Sequence, residues 1–411
     1  MPHDHSAALI AQLRESLTQQ RYNAAVVQNY CRNADYFLQY LVQQKIAVET
    51  ATQAEVSDYL RGAVRRFRQR HSYAPAAQWK SIPRSGIHAL LRLVQKRWPP
   101  EPPASGPGEV LCRTVCHEYQ EWLRVQRGLA KASIDALMWE GRHFLSWYTE
   151  RTHATSFMGL SIRDIDAYFE IRAPGLRRRS LKDVAERLRS LMRFLHRTGR
   201  IAVDLAPQII GPMLYAYEAI PSALSSDQIS AVLKATREDR SPMGLRDHAI
   251  LLLLSTYGMR AGEITRLRIE DIDWRAETLR IRHSKTGTLS LLPLMTPVGK
   301  ALLNYLRGGR PKTDAREVFI RMRAPYRPLS VIYNEIRRRL EAAGVKPCGK
   351  CGPHAFRHAR AVTLLRASVP RKVIGDLLGH RSAEATIPYL KLATEDLRAI
   401  ALEIPGQEAR S

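Results

Sequence analysis

Through most of its length the chain repeats apolar residues at the spacing of amphipathic helices. Two blocks share one order. The first has an aromatic and apolar helix, "YFLQYLVQQ" from Tyr36, then a short helix, "AEVSDYL", then a basic amphipathic helix, "ALLRLVQKRW". The second repeats them as "HFLSWYTER" from His143, "RDIDAYF" and "SLMRFLHRTG". Phe37, Leu38 and Tyr40 align with Phe144, Leu145 and Trp147. Val56, Tyr59 and Leu60 align with Ile165, Tyr168 and Phe169, and Leu90, Leu91, Arg92 and Leu93 with Leu191, Met192, Arg193 and Phe194. The order holds while the spacing drifts only in the loops, so a duplicated four-helix module is expected.

The period changes once. "LRIRHSKTGTLSLLPL" alternates through Leu279, Ile281 and His283, turns at residues 285–287 and returns through Leu289 to Leu294. That pattern predicts a β-hairpin with Lys285 at or near its tip. Helices flank it. "SSDQISAVLKATRE" reads as opened by a serine cap at Ser226, two residues before Gln228. "LRDHAILLLLSTYGMRAGEITRL" reads as two helices around Gly258, and "SVIYNEIRRRLEAAG" as another.

Two proline-rich breaks, "WPPEPPASGPG" and "APQIIGPMLYAYEAIPSALS", read as linkers. They divide the chain into a helical module at 1–98, a second at 109–205 and a larger piece at 224–411. The expected fold is mainly α, with a small β-hairpin in the third piece.

Charge narrows the partner. Lys and Arg total 64 against 39 Asp and Glu, a formal net of +25. A surplus of this size fits a polyanion, most commonly nucleic acid. The 5 cysteines show no paired framework, which fits a reducing cytosol. The start lacks the pattern of a signal peptide, and "AILLLLSTYGM" is too short to span a bilayer. A cytoplasmic, nucleoid-associated location without membrane contact is expected.

Several polar residues stand out in the third piece. Arg260 and Glu263 lie one helical turn apart, as do His354 and Arg357 in "GPHAFRHARAVTLL". Each pair alone is compatible with solvated charge. Cys348, Cys351, His354 and His358 crowd four soft ligands into too short a stretch for the usual separated pairs of a zinc finger, so no metal is expected. Cys112 and Cys116 read as half-buried small residues in a helix. Near the end, "LLGHRSAEATIPYLK" carries His380 and, behind a proline, Tyr389.

Arg260, Lys285, His354, Arg357, His380 and Tyr389, in this order, resemble the tyrosine recombinase or phage integrase family. The resemblance covers about 224–400 and rests on "GMRAGEI", "HSKTG", "HAFRH", "LGH" and Thr386-x-x-Tyr389. It implies a recombinase catalytic fold at 224–411 with a C-terminal tail, and a helical core-binding domain at 109–205. The module at 1–98 would be an additional DNA-contacting or assembly domain. The implied partner is double-stranded DNA, bound as a homo-tetramer, alone or with related recombinases. The residue before Gly258 is Tyr257 where the family often has threonine. Lys391 stands where a histidine often follows the tyrosine, and "TLSLLPL" replaces the usual basic residues of the return strand. These departures touch the subfamily and remove no catalytic side chain.

The chemistry suits the residues. A phosphodiester repels nucleophiles and gathers charge in its transition state. Two guanidiniums can clamp its oxygens in planar geometry without losing charge, and Arg260 and Arg357 suit that role. His380 can add a donor, His354 can exchange a proton near neutral pH, and Lys285 can protonate the departing 5′ oxygen. Tyr389 needs this cationic pocket because a free phenol has a pKa of about 10. Glu263 is expected to orient Arg260 or His380. Tyrosine attack stores the ester energy in a 3′-phosphotyrosyl bond, so rejoining needs no ATP, and neither a Walker loop nor a carboxylate cluster appears in the sequence. The expected activity is site-specific recombination, for integration, excision or transposition of a mobile element, with no cofactor. The alternatives are relaxation by a type IB topoisomerase and regulation by a non-catalytic DNA-binding protein.

Overall fold

Helices form where the apolar stripes predict them, and local capping residues set their ends. The computed structural model describes residues 2–76, 78–215, 223–283, 287–346 and 351–379. The chain divides into two compact units, Met1–Pro99 with Ala219–Ser411, and Pro100–Glu218.

In the first unit, α1 (Pro2–Gln19), α2 (Ala24–Gln43), α3 (Gln53–His71) and α4 (Ser81–Gln95) enclose a core of their own. Asn23 caps α2 through its side chain, and a capping box between Thr52 and Glu55 opens α3. The Arg21 guanidinium donates to the Lys312 carbonyl, tying this module to the rest of the unit.

The second unit contains α5 (Pro107–Glu121), α6 (Lys131–Thr152), α7 (Ile162–Arg172) and α8 (Arg178–Arg197). The paired sequence positions occupy matching helices in the two modules. Phe37 and Tyr59 meet edge-on with ring centroids 5.4 Å apart, and Phe144 and Tyr168 do so at 5.1 Å. Tyr40 and Tyr59 lie 5.4 Å apart, and Trp147 and Tyr168 lie 5.3 Å apart. One aromatic arrangement is thus built twice.

The remainder of the first unit is the larger piece: α9 (Ser226–Glu238), α10 (Pro242–Tyr257), α11 (Ala261–Thr265), strands β1 (Ile272–Asp273), β2 (Thr278–Arg282) and β3 (Leu289–Pro293), then α12 (Thr296–Gly308), α13 (Tyr333–Ala342), α14 (Pro353–Arg366) and α15 (Arg371–Leu378). The sheet is antiparallel in the order β1-β2-β3, with Thr278 opposite Pro293 and Arg282 opposite Leu289. Leu279 and Ile281 point from β2 into a core shared with α10, whose buried Ile250, Leu251, Leu253 and Leu254 are its centre. Asp247 is fully buried on α10 and accepts from Arg246 at 2.7 Å and from Arg339 of α13 at 2.8 Å. Losing one member would leave buried charge uncompensated, so this network fixes α10 against α13.

Four details depart from the pattern-based expectation. The cap of α9 is Ser225, whose side chain accepts from the Gln228 amide while Gln228 reaches back to the Ser225 amide. A reciprocal box needs three residues of separation, and Ser226 is one too close. The strand β1 was too short to show a period. The break expected from Ala206 starts later, because Ala206 and Ile209 are buried and the Ile209 carbonyl accepts from Arg189 at 2.6 Å. Cys112 and Cys116 are buried, and burial pushes the Cys116 thiol up to about 11.

Candidate active site

The site assembles where the ends of α10, α11 and α15 meet the middle of α14. Gly258 closes α10 in a left-handed conformation, φ +64, and a Cβ there would meet Leu378 Cδ2 at 2.7 Å. Only glycine allows both the turn and the close approach. The chain then reaches Arg260, which sits at the N-cap of α11 with extended backbone rather than inside the helix. Glu263 returns one oxygen to the Arg260 amide at 2.8 Å and the other to its guanidinium at 2.8 Å. The one-turn spacing therefore serves as a cap and an ion pair together.

Arg357 arrives from α14. It is 4% exposed, and its guanidinium donates to the Gly258 carbonyl at 2.7 Å and to the Leu378 carbonyl. Arg260 donates to the next carbonyl, Gly379, at 2.8 Å. The last carbonyls of a helix lack intrahelical donors and carry its negative end, which explains why two cations gather there. Two guanidiniums thus converge on two consecutive oxygens. The same donors suit the non-bridging oxygens of a phosphodiester.

His283 was read only as part of an alternating strand, and it proves central. Its ring is 2% exposed, with Nδ1 3.0 Å from Glu263 Oε1 and Nε2 2.8 Å from Ser290 Oγ. Gly379, at φ +61, lies so close that a Cβ would come within 2.4 Å of His283 Nδ1. A polar ring in the buried register of Leu279 and Ile281 was the available sign, since such a ring needs buried partners. Glu263 consequently joins Arg260 to β2 and β3. Burial alone would raise its carboxyl, but hydrogen bonds from His283 and from the Arg260 amide and guanidinium hold it below the usual carboxylate range.

That shift has a pH consequence. Glu263 contributes its full stabilisation above the pKa of an unfolded glutamate, about 4.3. The contribution is lost as pH falls through the lower folded value. Glu263→Gln is expected to cost about 3–5 kcal/mol at neutral pH, because Arg260 keeps its charge without a carboxylate. It should also flatten the loss of stability toward acid. Denaturant unfolding across the acid range measures both, and a variant with the native pH profile would refute the account.

His354 lies on α14 one turn before Arg357 and is exposed, with its ring 6.2 Å from that of His358. Lys285, His380 and Tyr389 lie outside the described residues, as does Cys348 of the Cys-x-x-Cys stretch. Cys351 is partly buried against the core. No helix among the described residues is long and apolar enough to cross a membrane.

Comparison with known proteins agrees with the sequence resemblance. The model of the phage integrase family matches residues 222–396. "Putative integrase/recombinase y4gC" of Sinorhizobium fredii (strain NBRC 101917 / NGR234) is 67% identical over 189 residues, which cover 46% of this chain and 98% of that protein. Among solved structures, the post-cleavage complex of the XerH site-specific recombinase with palindromic difH substrate superposes with a TM-score of 0.56. Its identity is 17%, over 72% of this chain and 84% of that one. A lambda integrase tetramer bound to a Holliday junction gives 0.51 at 17% identity, over 76% and 88% of the two chains. These structural likenesses carry the fold.

Proposed function

Because the chain belongs to the phage integrase family of tyrosine recombinases, and is thus a DNA strand-transferring enzyme of site-specific recombination, we propose that Arg260, Lys285, His354, Arg357, His380 and Tyr389 perform its strand exchange. The observation that carries this reading is the convergence of Arg260 and Arg357 on the carbonyls of Gly379 and Leu378. Residues 224–411 form the catalytic domain and residues 109–205 the core-binding domain. Four copies act on two duplexes, and the biological task is movement of a mobile element.

The steps follow from the side chains. The Tyr389 oxygen attacks phosphorus and its phenolic proton leaves through His354 or solvent. The bond from phosphorus to the 5′ oxygen breaks, and Lys285 gives that oxygen a proton. Arg260, Arg357 and His380 hold the charge that builds on the non-bridging oxygens. Glu263 and His283 keep Arg260 in place. A 5′ hydroxyl from the partner strand then reverses the reaction and frees Tyr389.

The direct test is a duplex carrying the recombination site with a nick beside the cleavage point, so that the released strand diffuses away. A denaturant-resistant complex on the 3′ phosphate is expected without ATP and with a chelator present. A requirement for added metal would refute the reading. A second experiment isolates Lys285. Lys285→Ala should slow cleavage of the ordinary substrate by about 10²–10⁴-fold, the range for loss of a general acid. A 5′-bridging sulfur leaves without a proton, so that substrate should restore nearly the full rate. Equal defects on both substrates would remove Lys285 from the role.

A further inference from the structure

The two helical modules differ beside their shared aromatic pair, and a groove lies there in the first. In the second module Glu140 is fully buried and accepts from the Tyr168 hydroxyl at 2.8 Å and from Arg172 Nε at 3.2 Å, with Arg187 Nη1 3.5 Å away. The alignment that pairs Phe37 with Phe144, Tyr59 with Tyr168 and Leu90 with Leu191 puts Asn33, Ala63 and Gly86 opposite Glu140, Arg172 and Arg187. The ion cluster around buried Glu140 is replaced there by small or neutral side chains. Asn33 turns to its own helix, donating to the Asn29 carbonyl at 2.7 Å, and Gly86 packs against the Tyr30 backbone.

A cavity of about 590 Å³ lies beside Asn33 and Ala63, between α2 and α3, with Trp79 at its end. Its other walls are aromatic and cationic. Tyr36 is 51% exposed at the rim, Arg66 lies 5.8 Å from the centre of the Tyr59 ring, and Phe67 packs against Trp79 at 5.3 Å. Arg70 and His71 complete the wall, and no carboxylate occurs among the described lining residues. Among the described residues neither Arg66 nor Arg70 forms an ion pair, whereas Arg61 on the same helix pairs with Asp58.

We infer that this groove of the N-terminal module binds single-stranded DNA, its arginines taking phosphates and its exposed rings stacking on unpaired bases. Rings at the rim of a positive groove suit bases that are free to stack, and bases inside a duplex present no face to them. Phosphate contacts alone would serve either form of DNA. The site is separate from the side chains that cleave, so it stands or falls independently of their assignment.

The test uses the full chain and a fluorescent oligothymidylate of roughly 15 nucleotides, beside an abasic strand and a duplex of the same length. Arg66→Gln combined with Arg70→Gln should weaken binding by about ten-fold and make the slope of log K against log salt shallower by about 1.4, for two phosphates at ~0.7 each. Tyr36→Ala should weaken binding to oligothymidylate by about five-fold or more, the scale of one lost base stack, and leave binding to the abasic strand unchanged. All variants should form the covalent complex on the nicked duplex at the native rate, which also shows that they fold. Native affinity in the arginine variant would overturn the site. So would equal losses for duplex and single strand, or equal effects of Tyr36→Ala on abasic and oligothymidylate strands. A loss of cleavage in Arg260 or Arg357 variants with unchanged oligothymidylate binding would concern the catalytic reading alone.

Discussion

Tyr389→Phe is expected to abolish the denaturant-resistant DNA complex and to lower single-turnover cleavage by at least about 10⁴-fold, the scale seen when a nucleophile is removed. Phenylalanine keeps the ring and deletes only the oxygen proposed to attack. Binding of the recombination site should therefore remain native, and the thermal midpoint should move little. The measurement is a time course on the nicked duplex beside a binding titration of the same DNA. Recovery of the 3′ adduct from the variant would show that another residue attacks. Pro388 fits the proposed role in the sequence, because proline lacks the amide that a continuous helix requires and so disfavours an unbroken helix through Tyr389.

Arg357→Lys should be nearly as damaging as Arg357→Ala, with cleavage lowered by about 10²–10³-fold in each, the effect of losing one transition-state donor. Lysine restores charge but not the planar fork that reaches the Gly258 and Leu378 carbonyls together. Both variants should also lose stability, by about 1–3 kcal/mol for each buried carbonyl left without a donor. Unfolding curves separate this loss from the catalytic one, since rates are compared well below the midpoint. If lysine rescues cleavage to within a few-fold of native, charge alone is needed and the bidentate geometry is not. Arg260 provides the contrast. It is paired with Glu263, so its removal should also release the His283 link to β2.

The local patterns were readable because each depends on residues close together in the chain. Helices α2, α4, α6 and α8 announce themselves by spacing, and the hairpin of β2 and β3 by alternation. The pattern misplaced limits that single side-chain contacts decide, some near in the chain and some far. The start of α9 is decided by the reach of Gln228 back to Ser225, and the stretch after Ala206 is ordered by Arg189 from α8. β1 exists because β2 pairs with it, not because two residues have a preference.

What the sequence by itself determined is the family, the helical character, and the order of the residues proposed to handle phosphate. A motif survives in linear form because each segment needs its own residue types to turn, cap or carry charge. Which of the described residues lie together was decided only by tertiary structure. Arg260 and Arg357 belong to different helices, and a third segment, ending in Gly379, brings them to adjacent oxygens. His283 looked like one more position of a strand until packing placed it between Glu263 and Ser290. The hollow beside Asn33 likewise needed the second module for comparison, since the loss of a buried ion cluster becomes visible only when its three members are brought together in space. Burial and long-range convergence depend on how distant segments pack, and no periodicity within one segment encodes that.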